Sequence, residues 1–155
     1  VDGEIQLRGR KKDTIVLLGG ENIEPLPIES KIMESRFVAS AVVFGTNEKG
    51  EDQRYLTAII LPNQDELVSY AEENGIQADT YEKLVETEAI QKLIENEVAE
   101  AVNSKNGFKA YERINKIALI TKPFEVGVEM SAKQEIMRYR IAEIYKDKIA
   151  KMYAD

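Results

Sequence analysis

Phe37-Val38-Ala39-Ser40-Ala41-Val42-Val43-Phe44 and Tyr55-Leu56-Thr57-Ala58-Ile59-Ile60-Leu61 are two runs rich in β-branched and aromatic residues, and the stretch between them, 45–54, is polar and carries Gly45 and Gly50. Such runs, bounded by turn residues, read as a pair of strands and predict the antiparallel centre of the domain. Working outward, Pro62-Asn63 ends the second strand, and 64–74 has helical spacing at Leu67, Val68, Tyr70 and Ala71 before Asn74-Gly75 stops it. The stretch 87–103 repeats the pattern at Ile90, Leu93, Ile94, Val98, Ala101 and Val102, which predicts an amphipathic helix with an acidic outer face. After Asn106-Gly107, residues 114–121 form a third strand ended by Pro123. A last helix is expected over 132–153, its apolar face built from Ile136, Met137, Ile141, Ile144, Tyr145, Ile149 and Met152.

Toward the N-terminus, Glu4-Ile5-Gln6-Leu7-Arg8 and Thr14-Ile15-Val16-Leu17-Leu18 flank the charged Gly9-Arg10-Lys11-Lys12-Asp13, a pattern that predicts a hairpin. Gly19-Gly20 then breaks the strand, and Asn22 offers a cap or turn side chain. Pro25 and Pro27 suit the entry to a helix reaching about Ser35, with Ile28, Ile32 and Met33 toward the core. The order hairpin, α, β, β, α, α, β, α predicts an α+β fold with a small, mainly antiparallel sheet of about three strands packed with helices.

Composition narrows the chemistry. The chain has 155 residues, of which 43% are hydrophobic, enough for one core without covalent staples. It contains no cysteine and no histidine, so disulfides, thiolate metal sites and every histidine-based nucleophile pair are excluded. Lys, Arg, Asp, Glu and Tyr remain for catalysis. With 21 basic and 28 acidic side chains the net charge is −7, which argues against nucleic acid as a partner. No apolar run approaches the roughly 20 residues of a membrane span, so no transmembrane segment is expected. The chain opens on Val1 and reads as a piece of a longer protein.

Three places attract attention as chemistry. The cations of 9–13 suit phosphate or ribose, although charged turns are more often only solvated. Gly19-Gly20-Glu21 permits close approach of a ligand to backbone, although paired glycines also simply end strands. Lys133, Arg138 and Arg140 cluster near the start of the last helix, where a fixed positive charge can stabilise an anionic transition state. A wet helix face would look the same. The seven tyrosines show no stacking period and are read as core and rim packing.

Taken together, Gly9-Arg10-Lys11-Lys12-Asp13-Thr14-Ile15, Gly19-Gly20-Glu21-Asn22-Ile23 and Pro25-Leu26-Pro27-Ile28-Glu29 resemble the hinge motif of the adenylate-forming enzyme superfamily. The strands at 40–44 and 56–62, the acidic helical insertion and the tail Tyr145-Lys146-Asp147-Lys148-Ile149 are similar to its long-chain acyl-CoA synthetase branch. The resemblance implies a fatty acid CoA ligase that uses ATP, Mg2+ and CoA. Residues 1–11 would end the preceding hairpin and link to an N-terminal domain, and 12–155 would be the mobile C-terminal domain. That N-terminal domain would hold the phosphate loop, the acyl pocket and most of the metal contacts, so the segment alone is expected to be inactive. By motif position Arg10 would bind the ribose hydroxyls, Lys12 would be the hinge, and Gly19, Gly20 and Glu21 would approach the pantetheine channel. The family's catalytic lysine aligns ungapped on Met137, with Lys133 four residues earlier. Lys133 shares a helix face with that position, or a gap restores it, or the lysine is gone; Lys133 is taken as the catalytic residue. The implied setting is cytoplasmic, or peripheral to a membrane in the full-length enzyme. The alternative is a non-catalytic α+β interaction module or a degenerate adenylating-enzyme tail.

Overall fold

The computed structural model describes residues 14–125 and 137–154. Among the described residues two sheets and six α-helices make the expected α+β class, with an extra helix at Tyr81–Glu86 and two terminal helices where one was expected. Strands β1 (Ile15–Val16) and β2 (Asn22–Ile23) pair antiparallel, and helix α1 (Pro25–Ile32) follows. Strands β3 (Val38–Thr46) and β4 (Asp52–Pro62) form the antiparallel centre, with Val42 opposite Ile59 and Val43 opposite Ala58. Helices α2 (Gln64–Glu73), α3 (Tyr81–Glu86) and α4 (Glu88–Ala101) then carry the chain back to strand β5 (Ile114–Leu119). Helices α5 (Arg138–Ile144) and α6 (Lys146–Tyr153) close the described chain.

The main sheet is mixed, in the order β3-β4-β5, because β5 lies parallel to β4. Three intervening helices make the long crossover that a parallel pair needs, whereas the short β3–β4 connection dictates the antiparallel pair. Helices cover both faces, which is why β3 and β4 read as almost continuous apolar runs rather than alternating ones. One core joins Ala41, Val43, Leu56, Ala58, Ile60 and Leu119 to α1–α4. The other joins Val42, Phe44, Ile59 and Ile120 to Ile141, Ile149 and Met152 of α5 and α6.

Local chemistry sets the helix starts. The side chains of Asn63, Thr80 and Thr87 accept hydrogen bonds from the backbone N–H groups of Glu66, Lys83 and Ile90, capping α2, α3 and α4.

Several expectations change. The first arm of the N-terminal hairpin, and residues 132–136 of the last helix, lie outside the described residues. Asn22 is neither cap nor turn but the start of β2, because a strand returns after the glycine pair. Met33 is 38% exposed as the C-cap of α1 rather than core. The last helix breaks at Tyr145, whose φ of −107° and ψ of 28° are not helical. Ile141 and Ile149 both reach the second core, while Ile144 is left 45% exposed.

Candidate functional site

Of the three places singled out in the sequence, the structure describes the second and part of the third. Arg10, Lys12 and Lys133 lie outside the described residues. Gly19, Gly20 and Glu21 form the turn between β1 and β2. Gly20 N–H donates to the Leu17 carbonyl at 2.8 Å, and Leu17 N–H donates to the Glu21 carbonyl at 3.0 Å. Gly20 has φ +90°, a conformation that disfavours a side chain, and nothing stands within 4 Å of where a Cβ would point. The turn therefore presents open backbone. A Cβ on Gly19 would lie 2.7 Å from both Glu21 carboxylate oxygens, so the Glu21 side chain folds back over Gly19. That places a negative group beside the turn, a surface better suited to a thin neutral ligand arm than to a phosphate.

The turn is held rigidly to the sheet. Leu18 N–H donates to the Gln53 carbonyl at 3.0 Å, Leu17 is buried, and β1 approaches β3 so closely that a Cβ on Gly45 would lie 2.3 Å from Ile15 Cγ2. Val16 and Leu18 on one side of the turn and Leu26 on the other are 44%, 60% and 51% exposed. The segment thus offers apolar side chains around the glycines without a covering element among the described residues.

At the third place the cations part company. Arg138 is turned inward: its Nη2 donates to Glu29 Oε2, and its Nε donates to the Val43 carbonyl at 3.0 Å. Glu29, only 5% exposed, also accepts the Val43 N–H at 2.8 Å. A carboxylate and a guanidinium thereby take up both backbone groups of one residue on edge strand β3, as a neighbouring strand would. Removing either partner would strand a buried charge, at a cost of about 3–5 kcal/mol. Sequence reasoning had both residues in view, Glu29 in a motif and Arg138 in a cationic set. Nothing in their spacing, more than a hundred residues apart, signals the pair.

Tyr139 is 64% exposed rather than packed, whereas two other tyrosines fasten α6. Tyr153 shares its hydroxyl proton between the carbonyls of Phe44 and Tyr55, at 3.1 and 2.9 Å, and the Tyr55 ring lies 5.1 Å from its own. Burial pushes the Tyr153 phenol up to about 12. A cavity of about 680 Å3 lies along β5, with Glu86, Glu95, Lys148 and Lys151 among its lining residues. Gly19, Gly20 and Glu21 are not among its lining residues.

The AMP-binding enzyme C-terminal domain, as a sequence family, matches residues 12–155. The chain belongs to that family. This AMP-binding C-terminal domain is 32% identical over 154 residues to a long-chain-fatty-acid–[acyl-carrier-protein] ligase of Arabidopsis thaliana, covering 98% of the chain and 18% of the relative. It is 28% identical over 167 residues to a long-chain-fatty-acid–CoA ligase of Macaca fascicularis, covering 99% of the chain and 23% of the relative. The chain thus spans about a fifth of the length of these relatives. Its fold matches the adenylation domain of a carboxylate reductase from Mycobacterium chelonae with a TM-score of 0.72 at 23% identity, over 94% of the chain and 20% of that structure. No helix among the described residues is long and apolar enough to cross a membrane.

Proposed function

We propose that this AMP-binding C-terminal domain is the mobile part of an ATP-dependent fatty acid CoA ligase of the AMP-forming type, in the cytoplasm or at a membrane surface. The observation that supports the reading is the family match over 12–155. On this reading residues 1–11 lead from a larger N-terminal domain, Lys12 is the hinge, and the segment alone is inactive.

In the first half-reaction a carboxylate oxygen of the fatty acid bonds to the α-phosphorus of ATP as the bond to the β-phosphate breaks, giving acyl-AMP and pyrophosphate. Lys133 contributes positive charge where anionic oxygens crowd, and Arg10 holds the ribose hydroxyls. After rotation about Lys12, the thiolate of CoA adds to the acyl carbonyl and AMP leaves with the bonding pair. In that pose Gly19, Gly20 and Glu21 border the thiol arm. The open backbone at Gly20 supports this role, and the folded-back Glu21 suits a neutral pantetheine rather than its phosphates. On this reading Mg2+ is held by the nucleotide phosphates and the larger domain.

Fatty-acid-dependent ATP–pyrophosphate exchange by the full-length enzyme tests the reading. Wild type should exchange and Lys133→Ala should not, while the variant still makes thioester from supplied acyl-AMP. Unchanged exchange in the variant removes Lys133 from the chemistry. No exchange in wild type favours the non-catalytic module. A second reading, with a carrier-protein thiol as acceptor, is favoured by the 32% identity to an acyl-carrier-protein ligase. Supplying CoA and holo-carrier protein side by side separates the two.

A further inference from the structure

We propose that the outer edge of β5 is a docking slot for an extended segment of another protein, one whose side chains alternate acidic and basic. The two edges of the main sheet are finished differently. At β3, Glu29 and Arg138 take up both backbone groups of Val43. At the other edge, β5 pairs only with β4 among the described strands. An edge strand turns half of its N–H and C=O groups away from its partner, and these can accept a further strand. The cavity of about 680 Å3 lies at this edge: the five successive residues 115–119 line it, and among the described residues none of β4 does. Five residues of strand are about 17 Å of ladder.

Helices form the two walls. Val85 of α3 and Ile94 of α4 belong to the core of Ala58 and Ile60, whereas Ile149 and Met152 of α6 belong to that of Ile59. Successive strand residues point to opposite faces, so α3 and α4 lie on one face of the sheet and α6 on the other, and all three line the cavity beyond β5. The first wall brings Glu86 and Glu95. The second brings Lys148 and Lys151 against the single acid Asp147, and Lys116 joins it, its Nζ donating to the Ala154 carbonyl at 3.2 Å. One wall is therefore acidic and the other net basic. A strand laid between them sends alternate side chains to alternate walls, so the matching segment carries acids toward α6 and bases toward α3 and α4. Its backbone would extend the sheet by one strand. A second copy of this chain is the poorer occupant, because its own β5 is recessed between the same helix layers. Antiparallel pairing about a two-fold axis would also set Glu86 and Glu95 of one copy on the same face as those of the other.

The test uses the full-length protein and two labelled, end-capped octapeptides of the same composition. In one, glutamate and lysine alternate; in the other they come in pairs, so that each face of the extended peptide carries both signs. Fluorescence anisotropy should show the alternating peptide binding at least about tenfold more tightly, and amide exchange over 114–119 should slow when it binds. Methylating the backbone nitrogens of its glutamates, or those of its lysines, should abolish binding in one case and be tolerated in the other, because only one set faces β5. Lys148→Glu with Lys151→Glu makes both walls acidic and should weaken binding about tenfold, and adding Glu86→Lys and Glu95→Lys, which exchanges the walls, should bring it back to within about threefold. Equal binding of the two octapeptides, tolerance of both methylations, or a loss that exchanging the walls does not restore overturns the proposal. So does an absence of binding: slow 114–119 amides in a monomer then mean that the protein's own chain fills the slot, and slow amides in a sedimenting dimer mean that a second copy does. The peptide comparisons need only wild type, so they decide the matter even where a variant fails to fold. No turnover is read, and the result stands apart from the ligase reading.

Discussion

Replacing Gly45 by alanine places a methyl group where β1 crosses β3. The added Cβ would lie 2.3 Å from Ile15 Cγ2 and 3.3 Å from Leu17 Cδ2. The first distance is well inside van der Waals contact, and Ile15 has little freedom to yield, because a β-branched side chain has few χ1 options. Either β1 lifts from the sheet or β3 bends, and overpacking of this kind costs about 1–3 kcal/mol. We expect the upper end, near 3 kcal/mol, since Leu17 is buried against the same spot. For a chain of this size each kcal/mol moves the thermal midpoint by about 2–4 °C, so a fall of about 6–12 °C is expected. Urea unfolding of Gly45→Ala, Ile15→Ala and the double variant measures the coupling. Ile15→Ala alone removes a partly exposed side chain and should cost about 1 kcal/mol, whereas the double variant should recover about half of the Gly45→Ala loss, with a coupling energy of about 2.5 kcal/mol. Additive effects, or a loss below about 0.5 kcal/mol for Gly45→Ala, would refute the close approach of β1 to β3. The same variant should quicken amide exchange in the Gly19–Glu21 turn, which β1 carries.

Tyr153→Phe removes a hydroxyl shared by two strand carbonyls and should cost about 1–2 kcal/mol at neutral pH. It should also change the alkaline limb. Because burial raises the Tyr153 phenol from near 10 to about 12, the folded chain holds that proton more tightly, so its contribution is complete below pH 10 and is lost as pH rises through about 12; the difference between wild type and variant should shrink across that window in a pH series of urea melts. Gly20→Ala meets no atom within 4 Å and should lose only the cost of its φ of +90°, about 1–2 kcal/mol, with native near-ultraviolet circular dichroism retained.

The α+β class and the β3–β4 centre are legible in the sequence because two continuous apolar runs flanked by polar turns have few other uses in a chain of this length. The glycine turn at 19–20 and the helix entry at Pro25 are legible too, since glycines and prolines announce backbone geometry locally. The break at Tyr145 is not, because the apolar pattern runs through it without a proline or glycine. Nor is the parallel β5, whose register depends on where three helices return the chain.

The sequence alone determined the three main strands and most of the helices, that histidine and cysteine are absent, and which family motif the N-terminal third carries. Those properties are local, set by periodicity, turn residues and composition. The tertiary structure alone decided that Arg138, one of several cations in the sequence, turns inward to meet Glu29 109 residues away, and that together they cap the edge of β3. An ion pair of that separation leaves no periodic trace, because it is fixed by the packing of α1, β3 and α5 and by the dryness of the place where they meet.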